Sequence, residues 1–206
     1  VKAGLIVFAR EPLPGQVKTR LAAEVGAQVA AEWYEQMLRE VLRNCTTLAG
    51  IDTTVFWACD ETTVLRLAEQ YGCRSRQQAS GDLGQRMAAA FAEMFAAGYE
   101  ACCIIGSDAP DLPMTYLQSA YEMLVQEQGD VVYGPCEDGG YYLLGLKRVW
   151  PELFANISWS SDRVLEQSIA AAQEAGAVVK LLPRWHDIDT VEDLHAYILR
   201  NHHKES

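Results

Sequence analysis

The stretch Ala101–Pro113 reads ACCIIGSDAPDLP. Ala101–Gly106 is a short apolar run, the pattern of a strand covered on both faces. It ends at Gly106 and delivers Ser107, Asp108 and Asp111 to one end of a sheet. Pro110 and Pro113 stop the strand and lead into a helix, because proline suits a first turn and not a ladder. Open α/β sheets place ligands at the carboxyl ends of their strands. Carboxylates delivered there can hold a hard cation such as Mg²⁺ or Mn²⁺. Asp111 has a second reading as a helix cap accepting backbone amides.

Strands and helices alternate outward from this segment. Gly4–Ala9 reads as the first strand and Arg10–Thr19 as a loop marked by Pro12, Pro14 and Gly15. Glu24–Leu48 is helical, with Val29, Trp33, Met37, Val41 and Leu48 near one face. Thr53–Cys59 is a second strand, Glu61–Tyr71 a helix closed by Gly72, Cys73–Gln78 a polar edge strand, and Gln85–Ala97 a helix ended by Gly98. After the central strand come a helix at Pro113–Gln128, strands at Asp130–Tyr133 and Tyr141–Leu146, and a helical turn at Val149–Phe154. A helix at Asp162–Ala175, a strand at Val178–Leu182 and a last helix at Val191–Leu199 complete the pattern. The alternation predicts a mostly parallel sheet with helices on both faces and a small antiparallel addition in the C-terminal half. Residues 1–200 form one domain in this reading, and 201–206 a polar tail.

Composition narrows the function. Half of the 206 residues are apolar and the net charge is −11. A nucleic-acid binder normally shows a basic face, so this charge disfavours that partner, and no apolar run is long enough to span a bilayer. Val1–Ala9 lacks a basic start and a cleavage pattern, so it reads as a strand and not a leader. The six cysteines form no C-x-x-C pair; reduced, mostly buried thiols suit a cytoplasmic protein. Oligomeric state is not legible.

Four loops carry the polar residues that need an explanation. In REPLPGQVKTR, Arg10, Lys18 and Arg20 stand out against an acidic chain, and Gly15 admits a close ligand approach. The loop is not a Walker A site, since Val17 stands where the second glycine belongs. In Ser80–Arg86, Asp82 reads first as the cap of the next helix. In Gly134–Gly140, Glu137 and Asp138 precede Gly139-Gly140, either a hairpin connection or a flexible loop offering a base or holding hydroxyls. In Trp185–Leu194, Asp189 reads as an N-cap with Glu192 three residues on, which leaves His186 and Asp187 without a structural role.

Taken together, FAREPLPGQVKTRLA, GDLGQRM, GSDAPDLP, GPCEDGGYYLLGL, WSSDRVLEQ and DIDTVEDL resemble the GT-A-fold nucleotide-diphospho-sugar transferases. More narrowly, they resemble a bacterial family of small glycosyltransferase-like proteins associated with radical-SAM genes. The same superfamily includes small nucleotidyltransferases with a similar final segment. The resemblance implies a single-domain Rossmann-like GT-A fold, a nucleotide or nucleotide-sugar donor, a small-molecule acceptor and Mg²⁺ or Mn²⁺. It implies that Gly15, Lys18 and Arg20, with Arg10, contact donor phosphates, and that Asp82 and Arg86 border the nucleotide. Asp108 would be the metal-binding aspartate at the centre of catalysis, with Asp111 close by and Asp189, or Asp187, as the second ligand. Glu137, Asp138, Gly139 and Gly140 would face the transferred or acceptor group, with Trp159 and Asp162 nearby. Glycosyl transfer is the leading expectation. Nucleotidyl transfer to a phosphorylated metabolite, with release of pyrophosphate, is the alternative, and a non-catalytic nucleotide-binding module is a third reading.

Overall fold

In the computed structural model, which describes residues 1–202, seven strands form one sheet. They are β1 (Ala3–Ala9), β2 (Ile51–Trp57), β3 (Ser75–Gln77), β4 (Ala101–Ile105), β5 (Val131–Pro135), β6 (Tyr141–Leu146) and β7 (Val179–Leu181). Their spatial order is β3-β2-β1-β4-β6-β5-β7, which puts the Ala101 strand in the middle. β1 pairs parallel with both β2 and β4, and β6 runs antiparallel between β4 and β5. The expected sheet and its antiparallel addition are both present.

Period-2 alternation gives the central strands two buried faces. From β1 and β4, Leu5, Val7, Cys103 and Ile105 join one core with Leu38, Val41, Val64, Leu67, Leu117 and Leu124. These last six come from α2 (Ala27–Cys45), α3 (Glu61–Tyr71) and α5 (Met114–Val125). Ile6, Cys102 and Ile104 turn the other way, toward Met87, Phe91 and Met94 of α4 (Leu83–Ala96), Phe154 of a 3₁₀ turn (Pro151–Phe154) and Ala172 of α6 (Val164–Glu174). Fully burying a leucine or isoleucine is worth roughly 1.5–3 kcal/mol, so both faces must be covered for the strands to be stable.

A third, smaller core positions the site. Val17 and Leu21, at the start of α1 (Thr19–Val25), pack with Tyr34 and Met37 of α2 and with Ile188 and Leu194, at and just before α7 (Val191–His202). The basic loop after β1 and the acidic loop before α7 are thereby seated on one apolar cluster.

The long helix expected at Glu24–Leu48 is two helices. Gly26, at φ 87°, breaks the chain between α1 and α2. After that break Tyr34, not Trp33, turns fully inward, and Val29 is exposed. The last helix continues to His202, so Asn201 and His202 belong to it and not to the tail. Residues 203–206 of the expected tail lie outside the described residues. No helix among the described residues is long and apolar enough to cross a membrane.

Candidate functional site

After β1 the chain moves outward to β2 and β3, then returns to the other side of β1 as β4. The loops leaving β1 and β4 therefore diverge, and a crevice opens between them, the switch point of an open α/β sheet. A cavity of about 520 Å³ occupies that place, a volume in the range of small-molecule sites. Arg10, Lys18 and Arg20 line it from the β1 loop, Ser107 and Asp108 from the β4 turn, Arg86 from α4, and Asp187 and Asp189 from the loop before α7.

Lys18 is at the centre of the charged end. It caps α1 in the left-handed region (φ 49°), and its side chain is 6% exposed. Its Nζ lies 2.9 Å from Asp108 Oδ1 and 3.8 Å from Asp189 Oδ1. Arg20 Nη1 donates to Asp189 Oδ2 at 3.0 Å. Two of the three cations expected to bind phosphate, Lys18 and Arg20, are therefore already paired with carboxylates.

Asp187 is different. Burial, then the nearby charge of Asp108, pushes its carboxyl up to about 7; Lys18 acts in the opposite direction and Asp138 adds to the rise. The Cys136 thiol donates to Asp187 Oδ2 at 3.7 Å. Its own ionisation is pushed up by burial first and by Asp187 second, so it remains an unreactive thiol. The stability consequence has a definite sign. Below about pH 4 both folded and unfolded chains keep the Asp187 proton. Between there and about 7 the unfolded chain releases it first, so stability falls as pH rises, and above 7 the cost is complete. Asp187→Asn is expected to stabilise the metal-free protein at pH 8 by about 2 kcal/mol or more, with the gain vanishing near pH 4. Urea unfolding of both proteins at the two pH values checks this.

At the other end of the cavity the positive charge is not compensated. Gln78 Nε2 donates to the carbonyls of Phe56 (2.8 Å) and Ala9 (3.3 Å), and its Oε1 accepts from Arg86 Nη1 at 2.9 Å. The glutamine thus has its oxygen fixed toward the arginine. Arg86 Nε is buried without a partner. Burial and then the charge of Arg10 depress the Arg86 guanidinium, while Asp82 opposes them. Among the described residues neither Arg10 nor Arg86 has a carboxylate within ion-pair distance. The backbone N–H of Arg10 donates to Tyr34 Oη (2.9 Å), which shares a 2.8 Å hydrogen bond with Ser107 Oγ. α2 thereby ties the β1 loop to the β4 turn.

Several expected residues lie elsewhere. Asp111 is not in the cavity: its side chain, 5% exposed, points back to Arg200 and His186. Its Oδ2 is taken by these partners and its Oδ1 is buried without one among the described residues. Asp189 does not cap α7. Thr190 Oγ1 accepts from Asp193 N at 3.2 Å, and Asp193 Oδ2 accepts from the amides of Asp189 and Thr190. The capping box is one residue later than expected, which frees the Asp189 carboxylate for Lys18 and Arg20. Asp82 caps α4 in a full box with Gln85 and does not line the cavity. Gly15 is exposed, with nothing within 4 Å of where a Cβ would stand.

Glu137 and Asp138 are exposed and do not line the cavity, and Asp138 Oδ1 accepts from Gly140 N at 3.0 Å. The Gly139-Gly140 loop is braced, not loose: Leu165 N donates to Gly139 O at 2.9 Å, and the Asp162 backbone covers Gly139. Trp159 packs on Gly84 at the start of α4. Sequence reasoning missed Gln78, Tyr34 and Arg200. A buried glutamine after a polar edge strand gives no local signal, and the other two act through contacts distant in the chain.

Among the described residues no three His, Cys, Asp or Glu side chains converge on one metal position. Asp108 and Asp187 nevertheless make a donor pair of the right chemistry. Two mutually repelling carboxylate oxygens, one of them buried, suit Mg²⁺, which commonly takes one or two carboxylates and completes its shell with water and substrate phosphate.

The family model described as "Uncharacterized protein conserved in bacteria (DUF2064)" matches residues 41–161. Among curated proteins no sequence matches the chain. Among solved structures, the chain is similar to a "putative nucleotide-diphospho-sugar transferase" from Desulfovibrio desulfuricans G20. The TM-score is 0.89 and the identity 31%, over 95% of this chain and 86% of that one. It also shares its fold with a CMP:2-keto-3-deoxy-manno-octonic acid synthetase complexed with CTP (TM-score 0.64, 11% identity, 98% and 100% covered). A molybdopterin-guanine dinucleotide biosynthesis protein A from Archaeoglobus fulgidus has the fold as well (TM-score 0.59, 15% identity, 96% and 99% covered). The family match spans more than half of the sequence, from α2 across the central strand to Trp159 and its neighbours, and by it this chain belongs to the DUF2064 family of bacterial proteins.

Proposed function

We propose that the chain is a nucleotide-dependent transferase whose cavity holds the nucleotide diphosphate of a sugar donor and passes the sugar to a small acceptor. One observation carries this reading: an uncompensated arginine pair and a repelling carboxylate pair line the same switch-point cavity. A ligand with phosphate anions and a bound cation satisfies both at once. The 31%-identical relative supports it by its description.

Arg10 and Arg86 would neutralise the diphosphate as negative charge develops on the leaving group, when the bond between the sugar's anomeric carbon and phosphate oxygen breaks. Lys18, already held by Asp108, would fix the position of that carboxylate and lend the same site positive charge. Asp108 and Asp187 would hold Mg²⁺ or Mn²⁺, which supplies charge stabilisation to the phosphates. The acceptor hydroxyl loses its proton as it attacks, and Glu137 and Asp138, in the loop between β5 and β6, are the candidate bases.

Arg86→Gln is expected to weaken nucleotide binding about 10- to 100-fold, the loss of one or two charge-assisted hydrogen bonds. Calorimetric titration of the nucleotide that binds the wild type measures this.

Nucleotidyl transfer is the second reading, and a specific observation favours it. Glu137, Asp138, Gly139, Gly140, Trp159 and Asp162, which the resemblance assigns to the transferred or acceptor group, do not line the cavity. Product analysis separates the readings: release of a nucleoside diphosphate from a nucleotide sugar supports the first, and release of pyrophosphate from a triphosphate supports the second.

A further inference from the structure

Arg200 is in the last turn of α7, far along the chain from the cavity residues. Its Nε and Nη2 donate to Asp111 Oδ2 at 3.0 and 2.9 Å, and Nη2 lies 2.7 Å from His186 Nε2. With an arginine as donor, His186 Nε2 is the acceptor. The His186 ring is itself held: it stacks on Trp185 at 4.6 Å, and Trp185 meets Tyr116 edge-on at 5.7 Å. Asp111 closes the turn that begins at Asp108, and His186 immediately precedes Asp187. One guanidinium therefore grips the far end of one acidic loop and the near end of the other.

Among the described residues one backbone hydrogen bond joins the two loops, Ile188 N to Asp108 O at 2.9 Å. Lys18 Nζ, 2.9 Å from Asp108 Oδ1 and 3.8 Å from Asp189 Oδ1, bridges the same loops on the cavity side. The half-buried ion pair Asp111–Arg200 has much of its attraction offset by desolvation of the buried carboxylate. What it fixes is geometry, and a planar fork with several donors fixes it better than an ammonium does.

We propose that Arg200 is a positioning residue, acting through Asp111 and His186 to hold Asp108 and Asp187 at one spacing. The spacing itself is independent of the functional reading above; its use for a cation rests on that reading.

The test follows amide exchange by NMR in wild type, Arg200→Gln, Arg200→Lys and the Arg200→Gln/Asp111→Asn double variant, alongside Mn²⁺ titration by electron paramagnetic resonance. In Arg200→Gln the Ile188 amide should exchange about tenfold faster while the Leu194–Ile198 amides keep their protection. Arg200→Lys should fall between, and adding Asp111→Asn should accelerate Ile188 little further. Mn²⁺ should bind Arg200→Gln about tenfold more weakly than wild type. Unchanged Ile188 exchange, equal acceleration along α7, or undiminished Mn²⁺ affinity would overturn the proposal. A wild type that binds no Mn²⁺ would count against the metal in the functional reading, and Ile188 exchange would still decide the latch.

Discussion

Asp108→Asn is expected to lower turnover at least about 1000-fold, equivalent to roughly 4 kcal/mol of transition-state stabilisation, with the fold retained. Asp108 acts on both Lys18 and Asp187. It sits 2.9 Å from Lys18, its charge raises Asp187, and it stands at the carboxyl end of the central strand. Asparagine keeps the shape and leaves the backbone bond from Ile188 to the Asp108 carbonyl in place. It removes the charge that pairs Lys18 and one half of the carboxylate pair. Lys18 retains Asp189 at 3.8 Å, so the lysine is not left alone in the interior and the fold survives. Steady-state assay with circular dichroism on the same preparation checks both parts. A folded variant with more than a tenth of wild-type activity would remove Asp108 from the mechanism.

The largest stability effect is expected at Gly139. Its φ is +89°, and a Cβ there would stand 2.0 Å from the Asp162 carbonyl oxygen and 2.6 Å from its carbonyl carbon. Both are backbone atoms, so no rotamer change relieves the clash. Left-handed backbone costs an alanine about 1–2 kcal/mol, and displacing the covering segment, with its Leu165-to-Gly139 hydrogen bond, brings the total to about 3–5 kcal/mol. Gly15→Ala is the control. It has φ +77° but open space around it, so only the backbone term of about 1 kcal/mol applies. Denaturant unfolding separates the two. A Gly139→Ala protein within 1 kcal/mol of wild type would show that the loop relaxes and is not braced.

The fold was legible because its signals are local. Ala101–Ile105 is apolar throughout, Gly72 stops α3, and Asp82 caps α4. Asp108 and Lys18 were legible for a related reason, since each follows directly on a strand or loop whose place in the sheet is set. The direction of a side chain within a turn is not set in that way. Spacing alone puts Asp111 beside Asp108, whereas the turn sends it to Arg200. At α7 the sequence admits two capping registers, Asp189 with Glu192 and Thr190 with Asp193. The competing pull of Lys18 and Arg20 on Asp189 resolves them. Likewise Gly139-Gly140 looks flexible in sequence, and only the packing of Asp162 shows that it is not.

The measurement that bears most directly on the central claim is the thermal stability of the wild-type protein against nucleotides, nucleoside triphosphates and nucleotide sugars, each with and without Mg²⁺ or Mn²⁺. A ligand at about one hundred times its dissociation constant stabilises the fold by about 2.7 kcal/mol. A shift of that order is expected for a nucleotide sugar or nucleoside diphosphate, larger with the metal and reduced to about 0.4–1.4 kcal/mol in Arg86→Gln at the same ligand concentration. A folded protein that no nucleotide stabilises, with or without metal, would contradict it.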